Sequence, residues 1–202
     1  MLYGIIKMEV EALMRVISGT ARGSILHSIE NINTRPTLDR VKESLFNIIQ
    51  NKIPDAVVLD LFAGSGALAI EALSRGAQKA YLCDYSKEAI QMINKNLEKT
   101  RLIEKTKIYN TDYMETLKRI EKENVKFDII FLDPPYKLDL SIKALEQISK
   151  SKLLNEEGII IIETDEPKRD LEELDKSKLD YNMYDLRKYG RASLIFLTER
   201  GT

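Results

Sequence analysis

"AVVLDLFAGSGALAIEALSRGAQKAYLCD", residues 56–84, decides the fold. It opens with a short, β-rich apolar run, passes through a loop punctuated by Gly64 and Gly66, and continues as an amphipathic segment that Gly76 ends. A second apolar run, "KAYLCD", follows at residues 79–84. Near-continuous apolar runs fit strands covered on both faces, so this stretch reads as strand, crossover helix and parallel strand.

The alternation continues downstream. Ser86 is placed to cap a helix over residues 86–100, whose apolar stripe is Ala89, Ile90, Ile93 and Leu97. Strands are expected at "TKIYN" (106–110), "FDIIFLD" (127–133) and "GIIIIET" (158–164), with helices at 112–123 and 140–151. Such a chain folds as a doubly wound α/β sandwich. Residues 179–199, "LDYNMYDLRKYGRASLIFLTE", break the rule, because "KYGR" joins two strand-like stretches with no helix between them. A terminal hairpin is predicted there, placing an antiparallel strand at the end of the sheet. An ordinary dinucleotide-binding fold would continue with strand and helix instead.

Upstream, "RVISGTARGSILHS" (15–28) reads as a hairpin reversing at "GTARG". "TRPTLDRVKESLFNII" (34–49) predicts a helix from about Thr37 to Asn51, with Pro36 and Thr37 in its first turn and Val41, Leu45, Ile48 and Ile49 on its stripe. The organisation expected is an extension or upstream start at 1–13, a hairpin-and-helix appendage at 14–52 and the α/β domain at 53–202.

Composition bounds the function classes. The chain has 202 residues, 44% of them hydrophobic, enough for one substantial core. Charged residues make up 31% but balance to −1, so the whole molecule is no electrostatic magnet for nucleic acid or acidic membranes. A single cysteine, Cys83, excludes an internal disulfide framework, and a single histidine, His27, argues against a histidine-rich metal site. A reducing cytoplasm fits. The first residues are broken by Lys7, Glu9 and Glu11, which suits neither a secretory signal nor a membrane span.

In doubly wound sheets, ligands bind beyond the carboxyl ends of the strands. The first such end is "DLFAGSG" (60–66), where Asp60 precedes a loop of Phe62, Gly64, Ser65 and Gly66. Taken alone, the loop is consistent with a plain strand-to-helix turn. However, it lacks the G-x-G-x-x-G spacing of a pyrophosphate site and the Gly-Lys-Ser/Thr end of a phosphate loop. An acid before the loop disfavours an anionic ligand and suits a cationic or zwitterionic one. Asp84 and Tyr85 follow the second strand, with Asp84 placed either to accept from a ribose diol or to cap the next helix. Asp112 and Tyr113 follow the third, and Asp112 is either an N-cap or a neighbour of an adenine edge. Together these ends describe a pocket for an adenosine that carries an amino acid and no phosphate. S-adenosylmethionine, with its positive sulfonium, is that molecule.

The fourth end is "DPPY" (133–136). Prolines donate no hydrogen bond, so the chain leaves the sheet at Asp133 along a stiff path. The corner presents a carboxylate at Asp133, a rigid carbonyl at Pro134 and an aromatic plane at Tyr136. An exocyclic amine on a planar ring is a poor nucleophile because its lone pair is delocalised. Two acceptors gripping its hydrogens orient the nitrogen, and stacking on Tyr136 holds the ring at about 1–3 kcal/mol per contact.

The stretch from about Met14 to Thr198 resembles the bacterial small-subunit ribosomal RNA guanine-N2 methyltransferase family, a branch of the class I S-adenosylmethionine-dependent methyltransferases. The resemblance rests on "MRVISGTARG", "TRPTLDRVKESLFN", "VLDLFAGSGALAIEALSRGA", "FDIIFLDPPY" and "YGRASLIFL". It implies a Rossmann-like, seven-stranded, mostly parallel sheet and methyl transfer to a guanine amine. It also implies that Asp60, Gly64 and Gly66 cradle the methionine part, Asp84 the ribose and Asp112 the adenine, while Asp133 to Tyr136 take the base. The family more often carries glutamate where this chain has Asp84, one methylene shorter.

No metal is required for such a transfer. Arg15, Arg22, Arg35, Arg40 and Lys42 stand against Glu30 and Asp39, a local excess of three positive charges suited to RNA phosphates. Arg187, Lys188 and Arg191 extend the rim. The expected partner, by resemblance, is small-subunit ribosomal RNA in an assembling particle, acted on by a monomer and with no role for a membrane. Adenine N6 or a glutamine amide is an alternative acceptor on the same fold. A NAD-binding oxidoreductase or a non-catalytic nucleotide-binding module is the alternative from another class.

Overall fold

A computed structural model of the chain describes residues 14–28, 36–134 and 138–200. The elements run α1 (Pro36–Ile48), β1 (Val57–Asp60), α2 (Ala67–Ser74), β2 (Lys79–Asp84), α3 (Lys87–Thr100), β3 (Thr106–Asn110), α4 (Tyr113–Lys122), β4 (Phe127–Leu132), α5 (Leu138–Lys150), β5 (Leu154–Thr164), α6 (Pro167–Ser177), β6 (Tyr181–Tyr189) and β7 (Ala192–Glu199). They build one seven-stranded sheet in the order β3-β2-β1-β4-β5-β7-β6. The first five strands are parallel, while β7 pairs antiparallel with β5 and with β6. The predicted hairpin therefore turns back into the sheet, and its second strand, not its first, lies beside β5.

Period-two alternation sorts the sheet's side chains between two cores. On one face, Val58, Leu82, Ile129, Phe131, Ile159, Ile161, Leu194 and Phe196 pack under α1, α2, α3 and the N-terminal turn. On the other, Leu59, Ile130, Leu132, Ile160 and Ile162 pack under α4, α5 and α6. Val16, Ala21 and Leu26 lie in the first core, so the described part of the appendage is continuous with the α/β layer.

Four expectations need correction. The 15–28 segment reverses as expected, with Val16 N–H bonded to Ser24, Gly23 N–H to Val16 and Leu26 N–H to Met14, but its one bridge, Arg15 to Ile25, does not extend into a regular ladder. Other donors reach across to α2: the N–H groups of Ile17 and Ser18 go to the Glu71 carboxylate at 2.7 and 3.0 Å, and that of Ala21 goes to Ser74 Oγ. Helix α1 stops at Ile48 and gives way to a 3-10 turn at Gln50–Lys52. Ile48 is exposed and Phe46 takes its place in the core, where its ring lies 5.9 Å from that of Phe131. Helix α6 has no counterpart in the sequence reading, although Pro167 opens it in the manner of a first-turn proline. The extension expected at residues 1–13 lies outside the described residues, within which no helix is long and apolar enough to cross a membrane.

Glu71 is the post on which the appendage is mounted. It is fully buried, receives the two backbone donors, and is neutralised by Arg75 Nε at 2.7 Å and Lys42 Nζ at 3.8 Å. The backbones meet so closely that a Cβ at Gly19 would lie 1.8 Å from the carbonyl oxygen of Ser74. Glu71→Ala is expected to lower the unfolding free energy by about 3–5 kcal/mol, the usual consequence of removing one side of a buried charge network. Urea unfolding of the full chain measures it.

Candidate active site

The sheet reverses its winding between β1 and β4, and the loops that follow those two strands border the same crevice. At such a switch point the carboxyl ends of neighbouring strands part and leave room for a ligand. The glycine loop lines one side. Gly66 caps α2 with φ 78°, and a Cβ there would press on Leu82 and Ile93 at 3.3 and 3.4 Å. Gly64 also has positive φ, 53°, but a Cβ there would stand in open space. The loop thus presents bare backbone where the sequence places it, a cradle that a larger residue would fill.

Asp84 holds that loop in shape. Its Oδ2 accepts the N–H of Gly64 at 2.9 Å and its Oδ1 accepts the N–H of Ser86 at 2.9 Å. The short side chain is turned onto the protein backbone, with one lone pair on each oxygen left for a ligand. Asn110 supports it from β3, donating to the carbonyls of Asp84 and Tyr85 at 3.2 Å each. Tyr85 is exposed, as a platform for an adenine requires. Asp112 caps α4, its Oδ1 accepting from Met114 and Glu115, which leaves Oδ2 for a ligand. Phe62 and Tyr113 bring their rings to 5.4 Å and form an apolar wall.

Alternation then produces a feature that the sequence reading saw only in part. Asp84, Asp60, Asp133 and Glu163 each follow, two residues on, a side chain of the first core: Leu82, Val58, Phe131 and Ile161. They stand at the carboxyl ends of β2, β1, β4 and β5, Asp133 just beyond Leu132, and these are four consecutive strands of the sheet, so four carboxyls stand in a row on one face. Asp60 is buried, and its Oδ2 accepts only a long bond, 3.4 Å, from Ala69. Among the described residues no lysine or arginine pairs with Asp60, Asp133 or Glu163.

The electrostatics follow that order. Burial, and then the Asp133 charge, push Asp60 up to about 7. Asp133 reaches solvent at the rim yet is crowded by protein atoms, and that crowding raises it to about 6. Glu163 is raised to about 8 by burial and by Asp133. Each acid is disfavoured as an anion, which is the condition of a site waiting for positive charge or hydrogen-bond donors.

Further residues escaped the sequence reading. Asn96, fully buried in α3, accepts the N–H of His27 at 2.7 Å and donates to the carbonyls of His27 and Ser65 at 3.0 and 2.9 Å. It ties the appendage to the glycine loop. The signal was a polar residue within the apolar stripe between Ile93 and Leu97. Glu163 was read only as the end of a strand. Of the proposed RNA contacts, Arg15, Arg22 and Arg40 are exposed. Lys42 is a correction: it is 6% exposed, and its ammonium donates to the Arg15 carbonyl beside Glu71, so it cannot reach a phosphate. Tyr136 and Arg35 lie outside the described residues.

Comparison with known proteins agrees with this architecture. The solved structure of the Escherichia coli protein yhhF, whose name is that of a methyltransferase, superposes with a TM-score of 0.77 at 27% identity, covering 94% of this chain and 99% of that one. The bare glycine cradle and the acid row fit an S-adenosylmethionine ligand, and the fold and site define a class I S-adenosylmethionine-dependent methyltransferase. A Bacillus subtilis protein, YlbH, is 39% identical over 188 residues, 93% of this chain and all of its own length. The Haemophilus influenzae protein named ribosomal RNA small subunit methyltransferase D is 35% identical over 156 residues, 77% of this chain and 80% of its own. The chain belongs to the family described as conserved hypothetical protein 95, whose profile matches residues 14–198.

The raised Asp60 carries a stability signature. Between its ordinary value of 3.8 and about 7, the folded chain keeps a proton that the unfolded chain releases, so the contribution of this group is fullest below 3.8 and is lost as pH rises to about 7. Asp60→Asn removes the titration. The ligand-free variant is expected to be more stable than the parent by roughly 2–4 kcal/mol at pH 8, with the gap closing near pH 4. Urea unfolding across that pH series checks it, and S-adenosylmethionine affinity should fall in the same variant.

Proposed function

We propose that the protein transfers a methyl group from S-adenosylmethionine to the exocyclic N2 amine of a guanine in small-subunit ribosomal RNA. One observation carries the reading: the Asp133–Pro134 corner leaves β4 at the switch point, on the same face of the sheet and beside the same strand as the glycine cradle. The names of the Haemophilus influenzae and Escherichia coli relatives, ribosomal RNA small subunit methyltransferase D, support the RNA class. The sequence resemblance supports guanine N2.

Asp60, Gly64 and Gly66 would hold the methionine part of the ligand, Asp84 and Tyr85 its ribose and adenine, and Phe62 and Tyr113 would shield the apolar side. When bound, S-adenosylmethionine supplies a methyl carbon made electrophilic by its sulfonium, and its C–S electron pair departs on a neutral thioether. The chain's own residues do the rest. Asp133 and the Pro134 carbonyl accept the two amine hydrogens and aim the nitrogen lone pair. The new N–C bond leaves the nitrogen cationic, and its surplus proton passes to water through the acceptor at Asp133. Proline fixes the carbonyl during folding, so its orientation entropy is settled before substrate arrives.

Residues 14–52 act in this scheme as the RNA-binding appendage, with Arg15, Arg22 and Arg40 on its exposed surface. The acceptor base enters unpaired or flipped, because a paired guanine cannot present its amine to a cleft.

Nucleoside analysis of ribosomal RNA from cells lacking the gene is expected to show loss of one N2-methylguanosine, restored by the parent gene. An unchanged nucleoside profile overturns the assignment. Asp133→Ala should abolish restoration, lowering kcat at least about 100-fold, while calorimetry finds S-adenosylmethionine affinity within about threefold of the parent.

A further inference from the structure

Methyl transfer as drawn leaves one acid of the cleft without a task. Glu163 ends the run Ile159–Ile162, and it projects from the face whose preceding side chains, Ile159 and Ile161, are core. Leu132 pairs with Ile162 across β4 and β5, so Asp133 and Glu163 are the next residues on two adjacent parallel strands. Such strands lie about 4.8 Å apart, close enough for two carboxyls to meet one base edge. Glu163 makes no hydrogen bond or ion pair among the described residues, whereas Glu71, the buried structural acid, is engaged by two backbone donors and two cations. An acid serving the fold would be satisfied by the fold. Glu163 is satisfied by nothing described, and it borders the corner where the base is to be held.

We infer that Glu163 is a specificity-determining residue that accepts the N1–H of the acceptor guanine while Asp133 takes the neighbouring N2 amine. The inference rests on the guanine-N2 reading and explains how the pocket would enforce it. Guanine presents N1–H and the N2 amine side by side, two donors facing two acceptors. Adenine presents its amine beside N1, which is itself an acceptor, so a carboxylate there meets a lone pair. The Asp–Pro–Pro–Tyr corner by itself grips any flat amine. A second carboxylate one strand away makes the choice of base.

Burial and the Asp133 charge raise Glu163 in the cleft, and donors from a guanine edge are what would return it to the carboxylate form that rejects adenine N1. Among the described residues no lysine or arginine pairs with it, so nothing described offsets that rise. Donors from the base would relieve both acids at once, so the pair is better matched to the substrate than to an empty cleft.

The test uses the full-length protein and RNA. The modified position is first mapped with the parent enzyme on small ribosomal subunits from cells lacking the gene. Transcripts then carry either guanosine or 2-aminopurine at that position; the analogue keeps the 2-amine but has an acceptor at N1. The parent is expected to favour guanosine by about 100-fold in kcat/KM, the scale of one well-made pair of base contacts. Glu163→Gln, whose amide both donates and accepts, should lose about 10- to 100-fold on guanosine and narrow the preference to less than about tenfold. Glu163→Asp should recover part of the preference, and S-adenosylmethionine affinity should stay within about twofold in both variants. A Glu163→Gln enzyme that keeps the parental preference, or loses equally on both RNAs, overturns the inference while leaving N2-methylguanosine formation intact. A parent enzyme that forms no N2-methylguanosine overturns the guanine reading itself.

Discussion

Four carboxyls standing in a row, with no lysine or arginine among the described residues paired to Asp60, Asp133 or Glu163, are the constraint from which the rest of this structure follows. The arrangement is a consequence of period-two alternation: a strand that buries Leu82, Val58, Phe131 or Ile161 must send the residue two places on to the same side. At the ends of β2, β1, β4 and β5 that residue is acidic each time. Folding therefore concentrates negative potential along one lip of the switch point, and the upward shifts at Asp60, Asp133 and Glu163 record the strain. A dinucleotide or a triphosphate would add to it. A sulfonium with an ammonium group removes it. Ligand choice is thus written into the field of the apo protein before any contact is made.

Holding such a cleft open requires a scaffold that does not relax to neutralise it, and α2 supplies much of that scaffold at both of its ends. Its N-terminus issues from the glycine loop, which Asp84 and Asn96 brace from either side. Toward its C-terminus, Glu71 and Ser74 receive the backbone of the appendage. One short, buried helix therefore connects the cradle to the segment proposed to touch RNA, and Asn96 closes a second connection between the same two parts. Displacing the appendage would leave the buried acceptors Glu71 and Asn96 without the N–H groups of Ile17, Ser18 and His27, each lost bond a cost of about 1–3 kcal/mol. The appendage is consequently part of the fold and not a tethered module.

How much of this the sequence discloses depends on which force dominates locally. Strands β2 and β3 were legible to the residue, because continuous apolar runs between polar turns leave one solution, and Ser86 was legible as the cap of α3 because capping is a local hydrogen bond. The glycine loop was legible for the same reason. Helix α6 was hidden by its composition: only Leu174 of its apolar residues is buried, so its period is faint in a strongly charged segment. Lys42 was misread because it was counted with the exposed Arg15, Arg22 and Arg40, while the partner that draws it inward, Glu71, lies far along the chain. Asn96 and Glu163 were missed for a related reason. Each acquires meaning only from a residue on another element, and spacing along one element cannot announce it.

The same distinction separates the two halves of the proposed chemistry. Gripping an amine is a local property: one acid, one fixed carbonyl and the stiffness of proline lie within consecutive residues, and a short motif carries them all. Discriminating between bases is not local, since guanine and adenine differ in the atom beside the amine, and the group that meets that atom must come from the adjacent strand. The register of β4 against β5 sets which side chain stands there. A shift of one residue in that pairing would send Glu163 to the opposite core and bring an isoleucine or a threonine to the cleft. Base choice would then depend on the buried isoleucines from Ile159 to Ile162, which hold the register, as much as on the acid they position.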